Sequence, residues 1–166
     1  MLLGVIADTH DNVDAVEQSA AQFRARGINT LVHCGDIVAP PTVPGLDGFE
    51  VHAVLGNNDG EIAGLMAAFD DLGNDSTLHG RFGIQEFDGA TVAFTHGESR
   101  EIIRSMAASG RFDIVCFGHH HDPVATDVDG TLLCNPGALY TAVPIEDRSV
   151  AVIDTDTGDI DFVAVV

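Results

Sequence analysis

The chain has 166 residues, 26 acidic side chains against 7 basic ones, a formal net charge of -19, and 45% hydrophobic residues. That apolar share excludes a disordered chain and suits a single domain over residues 1–166. No stretch approaches the roughly 20 apolar residues of a membrane span, and so acidic a chain argues against nucleic acid or an anionic membrane as partner, since both need basic patches.

The apolar run 2–7 predicts a buried first strand rather than a signal peptide, because no positive segment precedes it. Asp11 or Asn12 can cap the helix that follows, where Val13, Val16, Ala20 and Phe23 recur at helical spacing as far as Gly27. Residues 30–34 predict a second strand, and 35–44 a proline-rich loop broken at Pro40, Pro41 and Pro44. A strand at 51–55 and a helix at 62–72 complete the pattern β-α-β-(loop or helix)-β-α, that of a sheet with covering helices. Strands at 77–87 and 90–95 then flank Asp88-Gly89, a hairpin signal. A helix follows at 100–108, with Ile102, Ile103, Met106 and Ala107 available for one face, and a buried strand at 113–117. The last third reads as two hairpins, 124–128 with 131–134 across Asp129-Gly130, and 149–154 with 159–166 across Thr157-Gly158. The expected class is α/β, two packed sheets with helices outside. Cys34, Cys116 and Cys134 each sit in or at the end of an apolar run, with no CxxC pair. They predict reduced, buried thiols in a cytoplasmic protein and no cysteine zinc site.

The informative polar residues share one position: each cluster follows an apolar strand. The strands run into Asp8-Thr9-His10, Gly35-Asp36, Gly56-Asn57-Asn58-Asp59, His96-Gly97 and Gly118-His119-His120-His121. In open sheets, ligands gather at the carboxyl ends of strands, so these clusters should converge on one rim. Carboxylate, imidazole and amide oxygen together suit divalent Mn, Fe, Zn or Ni. Seven candidate ligands exceed one tetrahedral site and fit two ions sharing a carboxylate better. Alternation along an extended segment should put Asp8 with His10, and His119 with His121, on one side. Taken singly, Asp-x-His is commonly a capped loop and Gly-Asp an ordinary turn. Five such clusters in order are far more specific.

On these motifs the sequence resembles the calcineurin-like metallophosphoesterase superfamily, and more closely its small single-domain bacterial and archaeal phosphodiesterases. The family pattern D-x-H, G-D, G-N, an isolated His and G-H-x-H matches from residue 8 to 121, and Asn135-Pro136-Gly137 is also typical. The resemblance implies two β-sheets flanked by helices in four layers. It implies one ion held by Asp8, His10, Asp36 and His121, and another by Asp36, Asn57, His96 and His119, with Asp36 bridging. Manganese is the first candidate, with nickel, iron and zinc as alternatives. The implied activity is hydrolysis of a small phosphate ester, chiefly a phosphodiester, by a metal-activated hydroxide in line with phosphorus, with Asp36, Asn57 and His96 as catalytic residues. Many members carry histidine directly after the motif asparagine to protonate or position the leaving oxygen. Here Asn58 stands there, and an amide is no general acid at neutral pH. Asn12 and Asn58 are candidate substrate-binding groups, and Arg100 and Arg104 either meet a substrate anion or form a solvated helix face. A non-catalytic interaction scaffold on the same fold is the alternative, against which the complete ligand set argues. Small members often form homo-oligomers.

The acid excess reads either as that of an ordinary acidic cytosolic protein or as adaptation to molar salt, and the second is favoured. All seven basic residues are arginine and none is lysine. Acid excess without lysine resembles proteins of extreme halophiles. At about 1 M salt the Debye length shrinks to about 3 Å, so a dense carboxylate surface no longer repels itself seriously.

Overall fold

Leu3, Val5 and Ala7 point to one face of the first strand and Ile6 to the other, and all four are fully buried. A strand covered on both faces reads as a continuous apolar run because neither side meets water. The computed structural model describes residues 1–166. In chain order it contains β1 (Leu2–Ile6), α1 (Val13–Ala25), β2 (Thr30–His33), β3 (Glu50–Ala53), α2 (Ile62–Leu72) and β4 (Thr77–Leu78). Then come β5 (Phe82–Phe87), β6 (Ala90–Thr95), α3 (Arg100–Ala108), β7 (Ile114–Cys116), β8 (Val124–Val128) and β9 (Thr131–Asn135). The chain closes with β10 (Ser149–Asp154) and β11 (Ile160–Ala164).

Two mixed sheets result. The first runs β11-β10-β1-β2-β3-β4, with β1 to β4 parallel and β10 antiparallel to β1. The second runs β5-β6-β7-β9-β8, with β6, β7 and β9 parallel inside two antiparallel edges. The inner faces meet in an apolar layer where Leu3, Val5, Ala7 and Val32 pack with Phe87, Val92, Phe94 and Ile114. All three cysteines lie buried and unpaired in or beside that layer, and burial helps push the Cys34 and Cys134 thiols well above their ordinary pKa. Helices α1 and α2 cover the outer face of the first sheet through Phe23, Val16, Leu65 and Phe69. Helix α3 covers the second sheet through Ile103 and Ala107. The layers are therefore helix, sheet, sheet, helix. No helix is long and apolar enough to cross a membrane.

Two expectations are corrected and one open alternative is resolved. The stretch 77–87 is not one strand. His79 N–H donates to Ala53 O at 2.8 Å, Gly80 takes φ +79, and the chain leaves the first sheet to begin β5 at the edge of the second. Residues 40–46, open between loop and helix in the sequence, form a 3-10 helix, with Pro40 and Pro41 in its first turn, where no backbone N–H is needed. On α3, Ile102 turns to solvent at 59% exposure while Ile103 and Ala107 supply the buried stripe.

Candidate metal centre

Parallel β1, β2 and β3 end at one rim of their sheet, and parallel β6 and β7 end at the adjoining rim of the other. The seven predicted ligands meet there. His10 Nε2 and His96 Nε2 each stand 3.3 Å from Asp36 Oδ2. His121 Nε2 stands 3.3 Å from Asp8 Oδ1. His96 Nε2 lies 3.1 Å from Asn57 Oδ1 and 3.2 Å from His119 Nδ1. Donor atoms of Asp8, His10 and His121 fall within 4.8 Å of one another, as do those of Asp8, Asp36 and His96. Asp8 therefore stands in both trios, alongside Asp36, whose Oδ2 faces a histidine of each.

Strand alternation does not bring the paired ligands together. Asp8 (φ 52), His10 (φ 40), Asp36 (φ 56), His119 (φ 67) and His121 (φ 61) all adopt left-handed backbone. For a residue with a Cβ this conformation costs about 1–2 kcal/mol. Strain concentrated on candidate ligands is the signature of a functional constraint. Close approach adds a second constraint. A Cβ on Gly56 would overlap the Asp36 carboxylate, and one on Gly118 would stand 2.6 Å from Asp8 Oδ2 and 2.8 Å from Ala7 Cβ.

The ligands are held from behind. Asp59 accepts the N–H groups of Asp36 (3.1 Å), Gly56 (2.6 Å) and Val38 (2.6 Å), joining the second and third clusters. Asn58 donates its backbone N–H to Asp36 Oδ1 at 2.8 Å and its side-chain amide to Oδ2 at 2.6 Å. Cys34 O accepts from His96 Nδ1 at 2.9 Å, which leaves Nε2 unprotonated toward the cluster when the ring is neutral. Asn135 donates to Gly118 O at 2.9 Å and fixes the histidine loop. Two participants escaped the sequence reading. His33, wholly buried under Thr9, belongs to an unbroken apolar strand where its polarity gave no signal. Tyr140, the chain's one tyrosine, stacks 4.3 Å from the His10 ring, a contact that only the return of a distant segment creates.

The two carboxylates are driven apart electrostatically. Burial pushes the Asp8 carboxyl above its ordinary value, against the opposing pull of His96 and His121. Burial would raise Asp36 too, but His10, His96 and Asn58 outweigh it and hold the group well below the usual carboxylate range. Burial works against the charged form of His96, yet Asp36 and the Cys34 carbonyl raise its pKa overall.

Asp8 Oδ1 and His10 Nε2 are buried, and their 3.3 Å contacts with His121 and Asp36 are not aligned hydrogen bonds. Unsatisfied buried donors and acceptors are costly, and these two belong to an oxygen–nitrogen set suited to divalent ions, so the residues fit a metal. Asn12 is held by partners within the chain. Its carbonyl oxygen caps α1 at Ala15 N, its amide donates to Leu139 O, and its backbone N–H donates to Thr9 O. Asn58 likewise donates its side-chain amide within the chain, to Asp36 Oδ2.

A family model for the calcineurin-like phosphoesterase superfamily domain matches residues 1–158. The phosphodiesterase MJ0936 of Methanocaldococcus jannaschii is 29% identical over 161 residues, covering 94% of each chain. The solved structure of an archaeal phosphodiesterase superimposes with a TM-score of 0.91 at 27% identity, covering 98% of this chain and 99% of that one. A Vps29 single mutant from Entamoeba histolytica superimposes at 0.69 with 19% identity over 98% of each chain, a likeness that speaks for the fold alone.

Proposed function

Because the chain belongs to the calcineurin-like phosphoesterase superfamily, we propose that it is a metal-dependent phosphoesterase acting chiefly on phosphodiesters. The observation that carries this reading is five strand ends meeting at one rim, where the buried atoms Asp8 Oδ1 and His10 Nε2 face His121 and Asp36 at 3.3 Å without an aligned hydrogen bond. Asp8, His10, Asp36 and His121 would hold one divalent ion, and Asp36, Asn57, His96 and His119 a second, with manganese the first candidate. Such a pair supplies a water nucleophile near neutral pH and positive charge opposite the phosphoryl oxygens.

The chain's own residues prepare that chemistry. Asp36 stays ionised at any working pH, because the histidines beside it and the two Asn58 donors favour its charged form. His96 is turned by Cys34 O so that Nε2 faces inward. Asp59 fixes the relative positions of the Asp36 and Asn57 loops. No side chain at position 58 can protonate the departing alcohol, since Asn58 is an amide already donating to Asp36. The protein should therefore favour esters with acidic alcohols over alkyl esters.

The test is turnover of bis(p-nitrophenyl) phosphate in molar KCl, with bound metal measured in parallel. Chelation should abolish turnover and Mn²⁺ should restore it. Asp36→Ala should lower it by more than about a hundredfold, the upper range for losing even a group behind a metal ligand. Metal bound without turnover of any phosphoester would turn the reading to an interaction scaffold on the same fold.

A further inference from the structure

Arginine is the only basic residue in this chain, and most of its seven copies are tied down. Arg24 and Arg148 donate to backbone carbonyls, Arg26 to Gln22 and Arg81 to Glu98. Arg100 and Arg104 lie one turn apart on α3 and together line a cavity of about 270 Å³ whose apolar wall is Phe117, Val124 and Leu133. That volume sits just below the roughly 300 Å³ at which pockets take whole small ligands, so it suits a fragment of a substrate.

The cavity adjoins the candidate centre. Arg100 Nε donates to His120 Nε2 at 3.3 Å, His120 lines the same cavity, and its ring stands 5.1 Å edge-on from His119. The side chains of Arg104 and Arg111 have no hydrogen-bond or ion-pair partner within the chain, and of the two only Arg104 lines this cavity. Acids are close by, with Glu101 on the same helix feeling the charge of both arginines and Asp122 on the cavity wall, yet neither stands within ion-pair distance of Arg104. A free guanidinium over an apolar wall, in a chain with acids to spare, is arranged for an anion from outside.

We propose that this cavity is a substrate subsite for a second phosphate group, carried on the alcohol part of the ester and held by Arg100 and Arg104, with its sugar or ring against Phe117. The proposal rests on the phosphoesterase reading. It names the substrate class as small phosphodiesters bearing a terminal phosphate.

The test compares kcat/KM for thymidine 5′-(p-nitrophenyl phosphate), an ester of an acidic alcohol, with and without a 3′-terminal phosphate. Hydrogen bonds between charged groups imply a preference of about tenfold or more for the phosphorylated form. Arg104→Gln and Arg100→Gln should each bring that ratio toward one, whereas Arg111→Gln, outside the cavity, should not. A wild-type ratio of one or less, or an unchanged ratio in both cavity variants, overturns the subsite while leaving the phosphoesterase reading intact. If no phosphoester is hydrolysed, that reading fails first. The cavity is then judged by calorimetric titration of adenosine 3′,5′-bisphosphate. Weaker binding by Arg104→Gln supports it, and equal binding or none overturns it.

Discussion

His33 illustrates how a single buried side chain couples the candidate site to pH. Its Nδ1 accepts the Gly35 N–H at 3.2 Å, which leaves the proton of the neutral ring on Nε2, 3.2 Å from Thr9 Oγ1. Burial, reinforced by the charge of His96, holds its pKa down to about 3. The unfolded chain takes up a proton near the ordinary histidine value of about 6.5, and the folded chain does not until far lower. Stability from this group is thus present above that ordinary value and is lost as pH falls through it. At about pH 5.5 the loss amounts to about 1.4 kcal/mol. Denaturant unfolding at about pH 7.5 and 5.5 should show His33→Gln losing roughly that much less than wild type on acidification. The comparison isolates His33 from His79 and His120, whose pKa values burial also lowers. Identical pH dependence in the two proteins would exclude His33 as the source.

Between elements, two glycines do different work. Gly80 turns the chain out of β4 toward the other sheet with φ +79, and a Cβ there would meet nothing within 4 Å. Gly118 ends β7 against Asp8 and Ala7 of the other sheet's rim, where a Cβ has no room. Gly80→Ala should therefore cost about 1–2 kcal/mol in unfolding free energy through backbone strain alone and leave Mn²⁺ affinity unchanged. Gly118→Ala should cost about 1–3 kcal/mol through overpacking and also weaken Mn²⁺ binding, because Asp8 must move. Calorimetric Mn²⁺ titration of both variants separates the effects. Equal affinity in the two would show that the β7 rim does not position Asp8.

At the scale of the molecule, charge and fold pull against each other. Arg81–Glu98 is the one ion pair between an arginine and an acid, so the surplus behind the net charge of -19 is largely uncompensated. Of the 26 acids, only Asp8 and Asp36 belong to the proposed ligand set. Two divalent ions would bring about four positive charges to that rim, making it locally positive within a negative shell. Salt should then govern the rest. As the Debye length grows from about 3 Å in molar salt to about 10 Å at 0.1 M, repulsion among the remaining carboxylates rises. Thermal unfolding and diester turnover, followed from molar to 0.1 M KCl, should both decline. Stability that does not fall on dilution would separate the acidic composition from salt adaptation.

The sequence by itself carried the elements, the class and the seven candidate ligands. An apolar run followed by a polar cluster is a local pattern, and the order of the clusters along the chain is already a specific statement. Strand termini such as Asp8, Asp36 and His96 were legible as a set, because each alone passes for an ordinary cap or turn but five metal-competent clusters after five apolar strands do not. Other features required the assembled fold. Asn58 became a clamp on Asp36, and the Asn12 amide a donor to Leu139 O, only once their partners were in place. His33 was masked by its strand, the stretch 77–87 divided between two sheets, and Tyr140 and the Arg100–Arg104 cavity arose from segments distant in sequence. The left-handed ligand backbone was likewise invisible, since a non-glycine residue accepts that strain only when long-range packing over-determines it. Local pattern fixes which groups reach the rim, and the packing of one sheet on the other decides which of them touch.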